Sequence, residues 1–240
     1  MSEVKSPPPL GLGITTVLFG GAALLLLFAT RVVVPALTSF AGTEPVVMWF
    51  VAATVCLFIP MLLAGAWLLF GEMRSGALGS WQDRLRLQPM SSRDLLWALG
   101  GLVAVALLTA GCVAILRALS REAGLQPSFM TVKPLTPGRY WILAAWLPFF
   151  VLNILGEEFV WRGVVLPRQE VAFRDRAWLI NGTGWWLMHL AFPWQVLFSL
   201  LPTAFVVPYV TQRSRNTWAG VIIHAGLNGS GFLLLAFGLT

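Results

Sequence analysis

Charged side chains are scarce in this chain. They make up 11% of the 240 residues, whereas hydrophobic residues make up 58%. Soluble domains carry about 25% charged residues. Too little polar surface is left to coat a water-soluble globule, and the mean hydropathy of +0.79 points the same way. The composition therefore predicts an all-α, polytopic integral membrane protein whose main partner is the lipid bilayer.

Cysteine clusters, repeats and linkers are also missing. The chain has two cysteines, Cys56 and Cys112, which lie in separate apolar runs without a CxxC spacing. This excludes a disulfide framework and a cysteine-based metal site, and two small buried residues are expected instead. No internal repeat, low-complexity tract or flexible linker divides the chain. We expect one transmembrane domain over residues 1–240, with a motif-bearing core over about 139–240.

A dense basic patch is the third missing feature. The chain has 16 basic and 10 acidic residues and a pI of about 10.4. The basic residues nevertheless fall between the apolar runs, as loop arginines do in membrane proteins. This spacing argues against a nucleic-acid partner. It favours a multi-pass protein of the cell membrane.

Long apolar runs predict about seven transmembrane helices, with six or eight as the alternatives. A span needs about 20 apolar residues, and Pro193 should divide the uncharged stretch before Gln212 into two short spans. The first run is too long for an ordinary signal peptide, although a cleaved signal ending near Ser39-Phe40-Ala41 is an alternative. The predicted spans are Leu10 to Leu37, Pro45 to Phe70, Leu95 to Leu116, Tyr140 to Leu166, Ala177 to Phe192, Trp194 to Thr211 and Asn216 to the C-terminus.

The loop arginines predict the orientation of the chain. Cytoplasmic loops carry an excess of Lys and Arg, which places the N-terminus in the cytoplasm. Ten basic residues then lie on the cytoplasmic side: Lys5, Arg74, Arg84, Arg86, Arg93, Arg168, Arg174, Arg176, Arg213 and Arg215. Four lie outside, all in one loop: Arg117, Arg121, Lys133 and Arg139. The loop over residues 71–94 is either a surface amphipathic helix or an ordinary basic loop.

Ionisable and amide side chains interrupt three of the predicted spans. Such residues are costly inside a membrane and indicate a functional site. They are Glu157, Glu158 and Arg162 in the fourth span, His189 in the fifth, and His224 and Asn228 in the last.

Helical spacing groups these residues. Glu158 and Arg162 are i,i+4 neighbours and can pair, whereas Glu157 points about 100° away. His224 and Asn228 are also i,i+4, and Gly220 on the same face would let another helix approach closely. At about 1.5 Å per residue, the polar groups of the three spans lie roughly 12 to 18 Å from the same membrane face. We expect them to converge on one cavity inside the bundle, open to the cytoplasm.

These residues fit several kinds of chemistry. A buried carboxylate with histidines can activate water, while a histidine and an amide can stabilise an oxyanion. No serine or cysteine lies suitably beside a histidine, which favours hydrolysis by water. Zinc bound by Glu and two His is the alternative, and a proton-coupled transporter is another.

The same residues also have purely structural explanations. Glu158 and Arg162 could form only a structural pair, and a histidine could serve only an interhelical hydrogen bond. The tryptophans, Trp185 among them, are interpreted as packing residues.

Three short motifs resemble those of the CAAX protease and bacteriocin-processing family, also called Abi or CPBP. Glu157-Glu158-x-x-x-Arg162 matches EExxxR, and His224-x-x-x-Asn228 matches HxxxN. His189 matches FxxxH, with Trp185 where phenylalanine is usual. The resemblance covers about residues 139–240. The first half of the chain matches only as generic membrane helices.

The resemblance implies an intramembrane glutamic endopeptidase similar to the Ras-converting type of CAAX prenyl protease. It implies that Glu157 and His189 activate water, that His224 and Asn228 form an oxyanion hole, and that Glu158 and Arg162 support the site. It also implies eight spans and no metal cofactor. The substrate would be a peptide or protein, with a lipidated or membrane-anchored segment as one candidate. A non-catalytic bacteriocin-immunity or membrane partner protein is the alternative function.

Overall fold

A computed structural model describes residues 6–74, 80–119 and 126–239, and the described residues form helices and contain no β-strand. The predicted all-α fold is confirmed. Lys5 and Arg121, which entered the prediction of orientation, lie outside the described residues. The helices are α1 (Leu12–Ala41), α2 (Pro45–Arg74), α3 (Trp81–Arg84), α4 (Ser92–Leu119), α5 (141–173), α6 (Ala177–Met188), α7 (Trp194–Ser214) and α8 (Thr217–Ala236).

The helices identify a multi-pass membrane protein. Six helical runs of the described chain are long and apolar enough to cross a membrane, and one of them, Pro137–Met188, combines α5 and α6. The chain turns at Arg174–Arg176, and α6 packs back against the end of α5. With 12 residues, α6 is too short to cross the hydrocarbon alone. The count is therefore six full spans plus α6, close to the seven that the sequence predicts.

The outer surface of the bundle is suited to lipid. Large apolar side chains project outward along the first helices, for example Leu24 on α1, Trp67 on α2, and Leu96 and Leu107 on α4. A soluble monomer rarely exposes so extensive an apolar surface to water. The charged and histidine side chains singled out in the sequence are instead buried: Glu157, Glu158, Arg162, His189 and His224.

Three prolines are each preceded by a widened, π-helical turn. These segments are Ala29–Val33, Thr54–Phe58 and Glu158–Val165, and Pro35, Pro60 and Pro167 follow them. In each case the residue just before the proline donates its N–H to the carbonyl five residues earlier. A proline lacks an N–H and clashes with the carbonyl four residues before it, and a wider turn accommodates both effects. A proline alone does not produce a π-helical turn, because Pro148, Pro202 and Pro208 lie inside α-helical segments.

Hydrogen bonds define two opposite ends of the bundle. At the arginine end, Thr217 N donates to Arg86 O at 3.0 Å, and Leu10 N donates to Arg168 O at 3.1 Å. This end contains residues 6–11, 80–94, 166–178 and 212–217. At the loop end, Leu135 N donates to Ala236 O at 2.8 Å. This end contains residues 42–45, 126–140, 190–194 and 236–239.

The segment between α2 and α4 packs into the arginine end. The Arg84 and Leu85 side chains are buried. Arg84 Nε lies 2.8 Å from Glu72 Oε2, and the Thr217 hydroxyl donates to Leu85 O at 2.6 Å. A surface amphipathic helix over 71–94 is therefore not found in the described part, where the only helix between residues 80 and 91 is Trp81–Arg84. The segment is a basic loop that packs against the bundle. Residues 75–79 of that range lie outside the described residues.

Candidate active site

The EExxxR motif lies at the middle of α5, where the helix widens. Glu157 ends the α-helical part, and Glu158 and Arg162 belong to the π-helical segment Glu158–Val165. Glu157 is 2% exposed, and the other two charged residues are fully buried. The sequence predicts an ordinary α-helix here, with no sign of the widened turn except the proline that follows it. Isolated π-turns within helices occur often at functional sites.

Glu158 is the centre of a buried charge cluster. Its Oε1 accepts a hydrogen bond from Arg162 Nη1 at 3.1 Å and contacts His224 Nδ1 at 2.9 Å. The i,i+4 pair expected from the sequence is thus present, and it is joined to α8 by His224. Because a carboxylate only accepts, Nδ1 of His224 carries the proton in this contact.

Gly220 provides the space for this cluster. A Cβ atom at this position would lie 2.5 Å from Glu158 Oε2 and 2.8 Å from Thr211 Oγ1. Atoms cannot approach so closely without displacement. The close helix approach that the sequence predicts at Gly220 is therefore found, and the group it admits is the Glu158 carboxylate.

Glu157 faces a different neighbour, as expected from its position one residue before Glu158. Its Oε2 accepts a hydrogen bond from the indole Nε1 of Trp185, and its Oε1 lies 3.4 Å from Asn153 Nδ2. Sequence reasoning treated Trp185 as a packing residue and did not single out Asn153. The i,i+4 spacings of Asn153 to Glu157 and of Trp185 to His189 are the signals that could have identified both.

His189 lies just after the last residue of α6. Its Nδ1 lies 2.8 Å from the carbonyl oxygen of Trp185. A carbonyl only accepts, so Nδ1 bears the proton and Nε2 is left for other partners. The ring packs 4.3 Å from the Trp185 ring, centroid to centroid.

Asn228 lies one turn beyond His224 on α8. Its Nδ2 is 3.0 Å from His224 Nε2 and 3.5 Å from Asn153 Oδ1. With the Nδ1 proton of His224 directed at Glu158, Nε2 accepts from the Asn228 amide. For both residues to donate to an oxyanion, the amide must turn away and Nε2 must gain a proton.

One cavity of about 350 Å³ brings the predicted reactive residues together. Its polar lining is formed by Asn153, Glu157, His189, His224 and Asn228, together with Gln126 and Ser199. Glu158 and Arg162 do not line it and lie behind its wall. The rest of the lining is mainly apolar, with aromatic rings from Trp49, Phe50, Phe58, Trp146, Phe149, Phe150, Trp185, Phe192 and Phe232.

The cavity extends from the polar residues toward the loop end. Along α5 it is lined from Glu157 back to Trp146, and along α8 from His224 forward to Leu235. Residues Gln126 and Met130 of the loop-end connection also line it. The cavity therefore extends away from the arginine end, so a cytoplasmic arginine end and a cavity open to the cytoplasm, both expected from the sequence, cannot both hold. The membrane face that each end occupies stays a prediction. Three arginines of the arginine end pair with acidic side chains of the packed segments: Arg84 and Arg168 with Glu72, and Arg86 with Glu170 at 2.7 Å.

No group of three His, Cys, Asp or Glu side chains suited to hold a metal ion occurs in the described part of the chain. Both ring nitrogens of His224 already contact protein groups, Glu158 and Asn228. A metal ion bound to this histidine would have to displace one of them. The prediction that no metal is required stays a prediction.

Comparison with known proteins agrees with this site. Residues 139–230 match the model of a family described as type II CAAX prenyl endopeptidase Rce1-like. The matched residues, which make up less than half of the chain, include all three motifs. No curated protein and no solved structure matches the chain. Over this region the chain is therefore similar to a family of CAAX prenyl endopeptidases.

Arg162→Ala tests the buried charge cluster. Removing the guanidinium leaves Glu158 without its cation in an apolar interior, which costs about 3–5 kcal/mol for buried pairs. We expect a clear loss of thermal stability and yield in detergent. Arg176→Ala, at an exposed position of the arginine end, is the control and should behave like the wild type. Equal stability of the two variants would contradict the role given to the cluster.

Gly220→Ala tests the close approach of α8 to Glu158. The added methyl group must displace the carboxylate, and overpacking typically costs about 1–3 kcal/mol. We expect a lower melting temperature and weaker activity. Gly111→Ala on α4 is the matched control, because nothing lies within 4 Å of a Cβ there. If both variants melt alike, α8 is not as close to Glu158 as described.

Labelling of single cysteines tests which membrane face the cavity approaches. In a chain with Cys56 and Cys112 replaced by alanine, Thr136→Cys probes the loop end and Asp175→Cys probes the arginine end. The arginine bias predicts that a membrane-impermeant thiol reagent labels position 136 in intact cells, and position 175 only after permeabilisation. The opposite pattern would place the cavity on the cytoplasmic face and overturn the orientation.

Proposed function

We propose that the protein is a glutamate-dependent intramembrane endopeptidase that hydrolyses a peptide bond by water activated between Glu157 and His189. The observation that carries this proposal is the convergence of both side chains, from different helices, on one apolar cavity. The family match over residues 139–230 supports the protease class. The cell membrane is the proposed location.

The arrangement suits the first half of a hydrolysis. Oε2 of Glu157 is occupied by the Trp185 indole, so Oε1 is the oxygen that would accept a proton from water. Nε2 of His189 is the ring nitrogen available to orient that water. As the water loses its proton, its oxygen attacks the peptide carbonyl carbon, and the carbonyl oxygen becomes an oxyanion.

The second half requires donors and a proton for the leaving group. Asn228 can direct an amide N–H at the oxyanion, and His224 can do so from Nε2 once that atom is protonated. The Glu158 carboxylate beside Nδ1 stabilises such a positively charged ring. The proton taken by Glu157 then passes to the leaving amine as the C–N bond breaks, which restores the carboxylate.

The cavity indicates an apolar substrate segment. Its aromatic lining offers contact area to large apolar side chains or to a lipid chain near the scissile bond, while few charged groups lie there to bind a polar peptide. The family name points to a prenylated CAAX-type segment as one candidate. A leader or sorting segment of a membrane-anchored peptide is another.

Two further functions compete with this proposal. A non-catalytic immunity or membrane partner protein would keep the fold but would not need Glu157 and His189 in one cavity. A proton-coupled transporter would use the same ionisable groups, yet the chain shows no repeat related by symmetry. Neither alternative explains why an amide and a second histidine lie beside the Glu–His pair.

Glu157→Gln separates these functions. The substitution keeps the shape and an acceptor for Trp185 but removes the base, so we expect a folded protein with cleavage reduced at least about 10²-fold. The assay is cleavage of a membrane-embedded peptide by purified protein in liposomes, with metal content measured on the same sample. Cleavage should survive metal removal.

Two results would overturn the assignment. Undiminished cleavage by the Glu157→Gln variant would remove Glu157 as the base. Stoichiometric zinc, with activity lost on stripping and restored on adding it back, would make Glu157, His189 and His224 candidate ligands instead.

A further inference from the structure

We propose that Trp185 is a positioning residue that fixes both members of the Glu157–His189 pair, and that its indole N–H determines which oxygen of Glu157 acts as the base. This inference rests on the proposed function. It concerns a position where this chain has tryptophan and the FxxxH motif usually has phenylalanine.

The indole holds the carboxylate. Trp185 is 2% exposed, and its Nε1 donates to Oε2 of Glu157. An indole N–H can only donate, and it is most strongly bound by an ionised carboxylate. The bond occupies one carboxylate oxygen and leaves Oε1, whose contact with Asn153 is long at 3.4 Å. A rotation that exchanged the two oxygens would break the bond from the indole.

The backbone of the same residue holds the histidine. The carbonyl of Trp185 accepts from Nδ1 of His189, and the Trp185 ring packs against the imidazole. The first contact fixes the tautomer and the second fixes the ring plane. Trp185 therefore acts on Glu157 through its side chain and on His189 mainly through its main chain. A phenylalanine could replace the ring and carbonyl contacts but not the bond to Glu157.

Two members of the buried charge cluster around Glu158 contact Trp185. The Arg162 guanidinium lies 5.2 Å from the indole ring centroid, and the His224 ring meets the indole edge-on at 5.8 Å. Both groups are bound to Glu158. A cation over the indole face and a ring packed edge-on both favour one orientation of the side chain. The position of the reactive carboxylate thus depends partly on Arg162 and Glu158, which do not line the cavity.

Trp185→Phe removes the N–H and keeps an aromatic ring. Because misplacement of a reacting group by about 1 Å can cost 10²-fold in rate, we expect kcat to fall about 10- to 100-fold with KM changed less than about twofold. Trp186→Phe is the matched control. It alters the adjacent residue of the same helix and also removes an indole hydrogen bond, but one to Leu197 O at 2.8 Å, and it should retain wild-type kcat.

Two measurements separate positioning from folding. Replacing the Trp185 indole by benzothiophene, which keeps the shape and lacks the N–H, should reproduce the loss in kcat even if Trp185→Phe folds poorly. Combining Trp185→Phe with Glu157→Gln should lower the residual rate no further than Glu157→Gln alone, because the indole acts through the carboxylate. The indole N–H resonance of Trp185, but not that of Trp186, should shift in the Glu157→Gln protein, and this readout needs no activity.

The outcomes distinguish this inference from the proposed function. Wild-type kcat in the benzothiophene protein would overturn the role of Trp185 while Glu157-dependent cleavage stands. An additive loss in the double variant would show that Trp185 acts otherwise than through Glu157. If the wild type and the Glu157→Gln variant cleave alike, the proposed function itself fails, and the resonance shift still reports whether the Trp185–Glu157 contact exists.

Discussion

The contact of Glu158 with both Arg162 and His224 is the interaction on which the other features of the site depend. A carboxylate and a guanidinium that are fully buried in an apolar bundle are tolerated only where they satisfy one another. The cluster requires α8 to lie close to α5, which Gly220 permits. Its geometry also brings His224 to the cavity wall. Packing of the helices and placement of a reactive side chain are therefore set by the same charges.

The residues of the site form two layers with different roles. The cavity-facing layer contains Glu157, His189 and Asn228, which can contact a substrate. The layer behind it contains Glu158 and Arg162, which cannot. Trp185 joins the layers, since it packs on the guanidinium and donates to the cavity-facing carboxylate. Adjacent acidic residues in one motif thus have different neighbours because successive side chains on a helix point in different directions.

Much of this arrangement could be predicted from the sequence. Span positions follow from apolar run lengths, and the i,i+4 pairs Glu158–Arg162 and His224–Asn228 follow from helical geometry alone. The contact between Glu158 and His224 could not be predicted, because it joins residues 66 positions apart and depends on how the helices pack. The end of the bundle toward which the cavity extends could not be predicted for a similar reason. Distance from one membrane face gives the depth of a residue, but not the side on which neighbouring helices diverge.

Trp185 shows another limit of sequence reasoning. Tryptophan in an apolar helix is usually a packing residue, and only the position of Glu157 on another helix gives its N–H a partner. The π-helical turns could be predicted only in part. A proline within a span suggests a disturbance, but Pro148 and Pro202 show that it does not always produce one.

The π-helical segment Glu158–Val165 has a consequence for chain length. A wide turn accommodates one residue more than an α-helical turn of the same height, so the spacing between the charged motif and Pro167 is part of the fold. Loss of a single residue from this segment would convert the wide turn into an α-helical turn of about the same height, so Glu157 and Arg168 on its two sides would keep nearly the same relative orientation. The deletion would instead restore the register in which Pro167 clashes with the carbonyl four residues before it. The additional residue therefore separates the charged motif from the proline without rotating one flank of the helix against the other.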